Sequence, residues 1–374
     1  MKMRIDAEFD GGNIEVVEAG DAGDIRLRIR KDNLSDFYQW FYFRVSGARG
    51  EECVIHILNA GGAAYPGGLR DYRVLCSFDR VDWFRHPTRF EDGVLRWDFN
   101  FDCDAVWFAY YVPFSMERHH DMLARAGRDS NCRLISLGRT LDGQPLDLLH
   151  FSTGEGRRPC WVIARQHPGE TMAEWWMEGA LDWLCSGEAD SLLGKCDLYL
   201  VPNMNPDGSR RGHLRTNAAG RNLNREWDAA SMEHSPEVFL AQQAMERTGV
   251  DFLLDVHGDE ALPYCFIAGT EGLSDWDEAN QARLDFYLTK LVAANADFQT
   301  RYGYPPNKRG KANMGMSTNQ TAGRHGCLAM TLEMPFKDNA NAPDERHGWS
   351  PERCRRLAVS CLEVLEKYLD SGLA

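Results

Sequence analysis

Residues 161–185, WVIARQHPGETMAEWWMEGALDWLC, carry the fold in miniature. An unbroken apolar run ends in Arg165 and Gln166, crosses a His, a Pro, a Gly and a Glu, and becomes a longer stretch with large apolar residues at helical spacing. A strand apolar along its whole length is buried on both faces, so both faces need a cover, and a helix that follows it in the chain is the usual one. The same alternation recurs on both sides of this stretch, from residue 115 onward. The runs CRLISLG, LDLLHFS, CDLYLVPNM, VDFLLDVHG and CLAMTLEMP read as strands. SMERHHDMLARAG, SPEVFLAQQAMERT, DEANQARLDFYLTKLVAANA and SPERCRRLAVSCLEVLEKYLD read as helices. The expectation is an α/β sheet covered on both sides.

Upstream the pattern differs. From Ile14 to Pro113 short alternating or β-rich runs, such as IRLRIR, ECVIHILNA, VLRWDFNF and AVWFAYYVPF, are separated by Gly, Asp and Asn clusters, which predicts an antiparallel β-sandwich without long helices. We expect two domains, the sandwich over residues 1–114 and the α/β domain over 115–374.

Composition narrows the function classes. The 374 residues are 43% hydrophobic and 26% charged, and no apolar run reaches the ~20 residues of a membrane span. The net charge of −14 works against non-specific attraction to nucleic acid or anionic membrane. Eleven cysteines without a CxxC pair argue against a disulfide framework, and the N-terminus lacks the apolar segment of a secretory signal. The expectation is a cytoplasmic protein with reduced thiols, no membrane or nucleic-acid partner, and an oligomeric state that the sequence leaves open.

In open α/β sheets ligands bind at the carboxyl ends of strands. His167 and Glu170 follow the run at 161–166, and with Pro168 near the first helical position their side chains would share one side. Such a pair caps a helix, makes a satisfied hydrogen bond, or forms two arms of a metal site. A catalytic zinc commonly takes three His or carboxylate ligands and keeps one position open, and His257, at the end of DFLLDV, supplies the third. Asp255, two residues earlier on the same strand face, would orient that imidazole or make a plain buried hydrogen bond. Glu333, alone in CLAMTLEMPF, is the candidate base for a zinc-activated water, since a carboxylate there is costly without a partner; a Glu that turns outward at a strand end is the plain alternative. Asn224 and Arg225 have the chemistry to grip a carboxylate at two points, and Arg215 could stabilise an oxyanion; surface or ion-pair roles are the plain alternative for each arginine.

Taken together and in order, HPGE, NPDG, RNLNRE, DVHG and TLE resemble the zinc metallocarboxypeptidases, and most closely their cytosolic carboxypeptidase branch, whose eukaryotic members shorten polyglutamate tails. QWFYFRV and YYVPFS resemble that branch's N-terminal β-sandwich. The resemblance implies one zinc per chain on His167, Glu170 and His257. It also implies Arg215 at the scissile carbonyl, Asn224 and Arg225 on the terminal carboxylate of a peptide or protein C-terminal tail, and Glu333 as general base and acid. It implies a mixed, roughly eight-stranded sheet between helices. No tyrosine is assigned to the substrate pocket, and no residue is identified for the departing side chain.

Two stretches beside these motifs, 208–225 and 298–332, contain no Asp or Glu, and carry Arg210, Arg211, Arg215, Arg221 and Arg225, and Arg301, Lys308, Arg309, Lys311 and Arg324. Either the cleft is locally positive and favours acidic tails, or a solvated Gly- and Pro-rich loop has an ordinary basic excess. Two rivals to a peptidase use the same residues: a zinc amidohydrolase of N-acyl amino acids, and a module that binds C-termini without cleaving them.

Overall fold

The computed structural model describes residues 3–154 and 157–374. Ten strands build the N-terminal part: β1 (Arg4–Asp6), β2 (Glu15–Glu18), β3 (Ile25–Arg28), β4 (Tyr42–Ser46), β5 (Glu52–Ile57), β6 (Arg73–Ser77), β7 (Phe84–Pro87), β8 (Arg89–Glu91), β9 (Val94–Asn100) and β10 (Ala105–Ala109). They form two five-stranded sheets, ordered β1-β4-β10-β6-β7 and β2-β3-β5-β9-β8. Alternation decides the packing: Leu95, Trp97 and Phe99 of β9 point inward and Arg96 and Asp98 outward. Trp97 and Phe108 meet with ring centroids 5.5 Å apart between the sheets. One pair departs from the antiparallel expectation, since β3 and β5 run parallel. Between them the chain crosses into the other sheet as β4 and returns, so β5 comes back in the direction of β3.

The remainder contains α1 (Met116–Ala126), β11 (Cys132–Arg139), β12 (Pro145–Phe151), β13 (Arg158–Ala164), α2 (Met172–Leu184), α3 (Asp190–Leu193), β14 (Cys196–Val201), α4 (Pro206–Arg211), α5 (Pro236–Thr248), β15 (Phe252–Asp259), β16 (Phe266–Ala268), α6 (Glu278–Ala294), α7 (Ser317–His325), β17 (Leu328–Pro335) and α8 (Pro351–Leu369). The sheet is mixed and, among the described residues, has seven strands rather than about eight, in the order β11-β12-β14-β13-β15-β17-β16. Its centre, β14-β13-β15-β17, is parallel. Every residue of β15 and β17 is buried, as their apolar composition requires. Residue parity then sorts the two faces. Val162, Leu254 and Met330 pack in one cluster with residues of α2, α6 and α8, whereas Trp161, Ile163, Leu253 and Ala329 pack with those of α5 and α7.

The helix after β13 starts later than expected. Pro168 and Gly169 form a turn in which the Glu170 N–H donates to the His167 carbonyl (3.1 Å), and α2 begins at Met172. Arg165 adopts a left-handed φ of 56°, an uncommon backbone for a residue with a Cβ. Its buried guanidinium holds that bend by donating to the carbonyls of Pro168 (2.9 Å) and Phe114 (3.0 Å) and to the Glu174 carboxylate.

Glu174 also binds Nδ1 of the buried His119 at 2.6 Å. Burial opposes a charge on this imidazole, but Glu174 and Asp147 outweigh it and raise its pKa from 6.5 to about 9. A histidine raised on folding stabilises the native state fully below its unfolded value and loses that contribution as pH rises through the folded one. The stability difference between wild type and His119→Leu should therefore be constant below pH ~6 and shrink by on the order of 3 kcal/mol towards pH ~9. Denaturant unfolding at a series of pH values measures this, and a pH-independent difference would exclude a buried imidazolium. All eleven cysteines are unpaired, and nine are buried.

Candidate metal centre and substrate cavity

The parallel strands deliver their C-terminal ends to one edge, and the seven residues singled out above converge there. His167 follows β13, His257 lies two residues before the end of β15, and Glu333 sits opposite His257 in the β15–β17 register. Both lie on the odd-numbered face of the sheet, with Asp255 and Thr331 paired behind them. Arg215, Asn224 and Arg225 come from the segment after α4 and line the same cavity of about 440 Å³ as the two histidines, Glu170 and Glu333.

The ligand atoms of His167, Glu170 and His257 all lie within 4.8 Å of one another, and all three residues are buried. His167 Nδ1 is 2.6 Å from Glu170 Oε1, and His257 Nδ1 is 2.7 Å from Glu170 Oε2. On the outer side, His167 Nε2 is 3.0 Å from the Asn222 amide oxygen and His257 Nε2 is 2.9 Å from Asp255 Oδ2. If each Nε2–H donates outward, each Nδ1 presents a lone pair to a carboxylate oxygen, and two acceptors held that close need a shared cation. Two imidazole nitrogens, one carboxylate and an open side towards a cavity form the donor set of a catalytic zinc, with outer oxygens fixing the ring tautomers. The residues fit the metal.

Charge at the site follows the same logic. Burial, and next the positive charge of Arg215, hold His167 down at about 4, so its ring is neutral at pH 7. Burial opposes a charge on Glu170, but the two imidazoles outweigh it and hold the carboxyl below its ordinary range. His257 is raised well above its ordinary value because Asp255 and Glu170 outweigh burial, and a bound metal would displace that proton. Asp255 is itself held by Gln166 Nε2 (2.6 Å) and by the Ser317 hydroxyl. Replacing it by Asn keeps the shape and removes the charge, so Asp255→Asn should weaken zinc binding roughly 10- to 100-fold. Competition with a chromogenic chelator measures this, and wild-type affinity would rule out a role for Asp255 in orienting His257.

Glu333 has one oxygen, Oε2, with no hydrogen-bond partner among the described residues, and the other lies 3.4 Å from the Tyr304 hydroxyl. Burial pushes its pKa well above the ordinary range, His257 opposes this, and Glu170, Asp259 and Glu260 add to it. Asn224 is fixed by its Oδ1, which accepts from the Ser317 N–H at 2.9 Å. Arg215 makes no side-chain hydrogen bond or ion pair among the described residues.

Several cavity residues escaped the sequence reading. Tyr304 donates to Asp259 and reaches over Glu333, from a segment, YGYPP, whose two prolines fix an extended path. Tyr65 comes from the sandwich, and Glu260 and Glu271 add acid to the lining. Of the ten basic residues in the two acid-free stretches, only Arg215 and Arg225 line the cavity. Arg211 pairs with Asp142 and Arg324 with Glu246, and α7 occupies nine residues of the second stretch. A second metal-compatible group, His119, His120 and Asp147, lies outside the cavity, but His119 is committed to Glu174 and His120 is exposed.

Comparison with known proteins identifies the family of the chain. Residues 119–347 match the zinc carboxypeptidase family and residues 5–111 the cytosolic carboxypeptidase N-terminal domain. An uncharacterized protein of Zymomonas mobilis subsp. mobilis is 50% identical over 99% of this chain and 97% of its own. Cytosolic carboxypeptidase 3 of Bos taurus is 26% identical over 72% of this chain, which spans 31% of that longer protein. The solved metallo-carboxypeptidase of Pseudomonas aeruginosa in complex with (2-guanidinoethylmercapto)succinic acid is 41% identical, with a TM-score of 0.96 over 99% of this chain and 100% of that one.

Proposed function

This chain belongs to the zinc carboxypeptidase family, and from that premise we propose that it removes single residues from the C-termini of peptides or protein tails, with one zinc per chain and residues 115–374 as the catalytic domain behind a sandwich of residues 1–114. It is a metallocarboxypeptidase, a hydrolase of peptide bonds. One observation carries the finer reading: a carboxylate clamp, an uncommitted arginine, a half-unpartnered carboxylate and a metal-ligand triad share one cavity.

His167, Glu170 and His257 would hold the zinc. Bound there, zinc supplies Lewis acidity for a carbonyl oxygen and makes a water acidic near neutral pH. Arg225 and Asn224 hold the terminal carboxylate, which fixes the last peptide bond against the triad. Arg215 donates to the scissile carbonyl oxygen as negative charge develops on it. Glu333 takes the proton of the attacking water and returns it to the departing amine nitrogen.

The expected preference for acidic tails needs a narrower form. Asp259, Glu260 and Glu271 also line the cavity, so its lining is not simply basic. Lys308, Arg309 and Lys311 are exposed just beyond the lining residue Asn307, and the Lys311 N–H donates to the carbonyl of the lining Gly272 at 3.0 Å. These bases would attract an acidic segment upstream of the scissile bond, an effect that weakens with salt. The compound in complex with the Pseudomonas aeruginosa relative joins a succinic acid to a guanidino arm, which is compatible with a carboxylate clamp in a cavity that also carries acidic residues. The unpaired thiols support a cytoplasmic location.

The test incubates the protein, with and without a chelator, with peptides that vary in the last residue and in upstream charge, and follows mass with time. Chelator-sensitive loss of single C-terminal residues is expected, with a salt-sensitive advantage for acidic upstream segments. Cleavage of N-acyl amino acids alone would favour the amidohydrolase, and tail binding without turnover by zinc-loaded protein would favour the binding module.

A further inference from the structure

The sandwich reaches into the catalytic centre through one buried carboxylate. Asp32, on the segment between β3 and β4, is 3% exposed, and its charge is met by three consecutive backbone N–H groups of the other domain. Leu214 N–H donates to Oδ1 at 2.7 Å, and Arg215 N–H and Thr216 N–H donate to Oδ2 at 2.8 and 2.9 Å; the Thr216 hydroxyl adds a fourth bond at 3.1 Å. A cradle of successive amides is a built anion site, and here its anion comes from the neighbouring domain. The surroundings tie the same loop down. Asn13 Nδ2 donates to the Gly212 carbonyl (2.9 Å), Asn33 Nδ2 to the Ala218 carbonyl (2.9 Å), and the Asn33 N–H to His213 Nε2 (3.1 Å). Gly220, at φ +72°, lies so close that a Cβ there would stand 2.5 Å from the Leu34 carbonyl oxygen.

The side chain of Arg215 is held from the same side. Its guanidinium carbon lies 5.6 Å from the Phe37 ring centroid and 5.5 Å from that of Tyr65, both sandwich residues, and Tyr65 itself lines the substrate cavity. Two ring faces orient a cation without consuming its N–H donors, which therefore remain available to a substrate oxygen.

We propose that Asp32 is a positioning residue for the hydrolysis, and that the sandwich, through Asp32, Phe37 and Tyr65, completes the active site by fixing where the Arg215 guanidinium points. The proposal rests on the reading of Arg215 as the group that stabilises the oxyanion. Asp32→Asn places an amide NH₂ against N–H donors and loosens the loop, so the charge that develops in the transition state is met by a misplaced donor. The expected loss is in kcat, on the scale of about 10- to 100-fold, with KM within about threefold of wild type.

A double-mutant cycle separates positioning from general destabilisation. Asp32→Asn, Arg215→Ala and the double variant are assayed as zinc-loaded full chains. In the Arg215→Ala background Asp32→Asn should cost less than about twofold, because the residue it positions is gone. Full kcat in Asp32→Asn, or an equal loss in both backgrounds, would overturn the proposal. An active Arg215→Ala enzyme would instead remove the reading of Arg215 beneath it. Where Asp32→Asn does not yield folded protein, Tyr65→Leu takes its place in the same cycle. Its kcat loss should likewise vanish without Arg215, and persistence of that loss counts against the proposal.

Discussion

Glu333→Gln should retain zinc and fold but lose roughly 10²-fold or more in kcat, the scale expected when a general base is removed. The substitution is isosteric, so Gln can keep the contact with the Tyr304 hydroxyl, which lies 3.4 Å from Oε1. What disappears is the capacity of Oε2, the buried atom with no partner among the described residues, to accept a proton and give it back. Burial and the carboxylates of Glu170, Asp259 and Glu260 raise the carboxyl, while His257 and a cation on its ligands pull it down. A raised acid is inactive as a base below its folded pKa, so kcat/KM in wild type should climb with pH through a limb above the ordinary carboxylate value. That limb should be missing from the Gln variant. Steady-state rates across pH, with metal content measured on the same samples, decide the matter. Near-wild-type turnover would take Glu333 out of the proton path.

His257→Ala should abolish stoichiometric zinc and, with it, chelator-sensitive activity. The imidazole is 1% exposed, and among the described residues its nitrogen is one of three ligand atoms that converge there, so its loss leaves one histidine and one carboxylate. The Glu170 carboxylate would lose one of the two rings that offset its burial, and would hold a metal with a single histidine. Zinc affinity should fall by more than the 10- to 100-fold that loss of an outer partner such as Asp255 costs. Elemental analysis after dialysis, paired with the rate on a C-terminal peptide substrate, measures both quantities. A variant that keeps one zinc per chain through dialysis would place the metal elsewhere.

How much of this could be read from the sequence follows from how each residue is placed. His167 and Glu170 lie just beyond a strand, and His257 and Glu333 near the ends of two others, whose apolar runs are plain in the sequence, and the parity of a strand puts Asp255 with His257. Local grammar suffices there. It failed where a tertiary partner sets the geometry. The Pro168–Gly169 turn and the late start of α2 depend on the buried Arg165, which no helix-start rule anticipates. The three-residue β16 is too short to show a period, and the parallel pairing of β3 with β5 depends on a crossing between sheets. Asn222, Tyr304, Tyr65 and Asp32 reach the site from loops or from the other domain, so their roles rest on packing over long separations.

The parity of β15 has a consequence for how this protein can change over generations. Odd positions, Asp255 and His257, belong to the proposed metal site, while even positions, Leu254 and Val256, fill the core against the helices on the other face. Deleting one residue early in β15 would turn His257 into the oily side and push Val256 towards the cavity, losing catalyst and core together. Such a strand can drift only by replacing letters in place. Gains and losses of length are confined to the loops, so novelty in this enzyme should arise around the rim of its cavity while the floor keeps its frame.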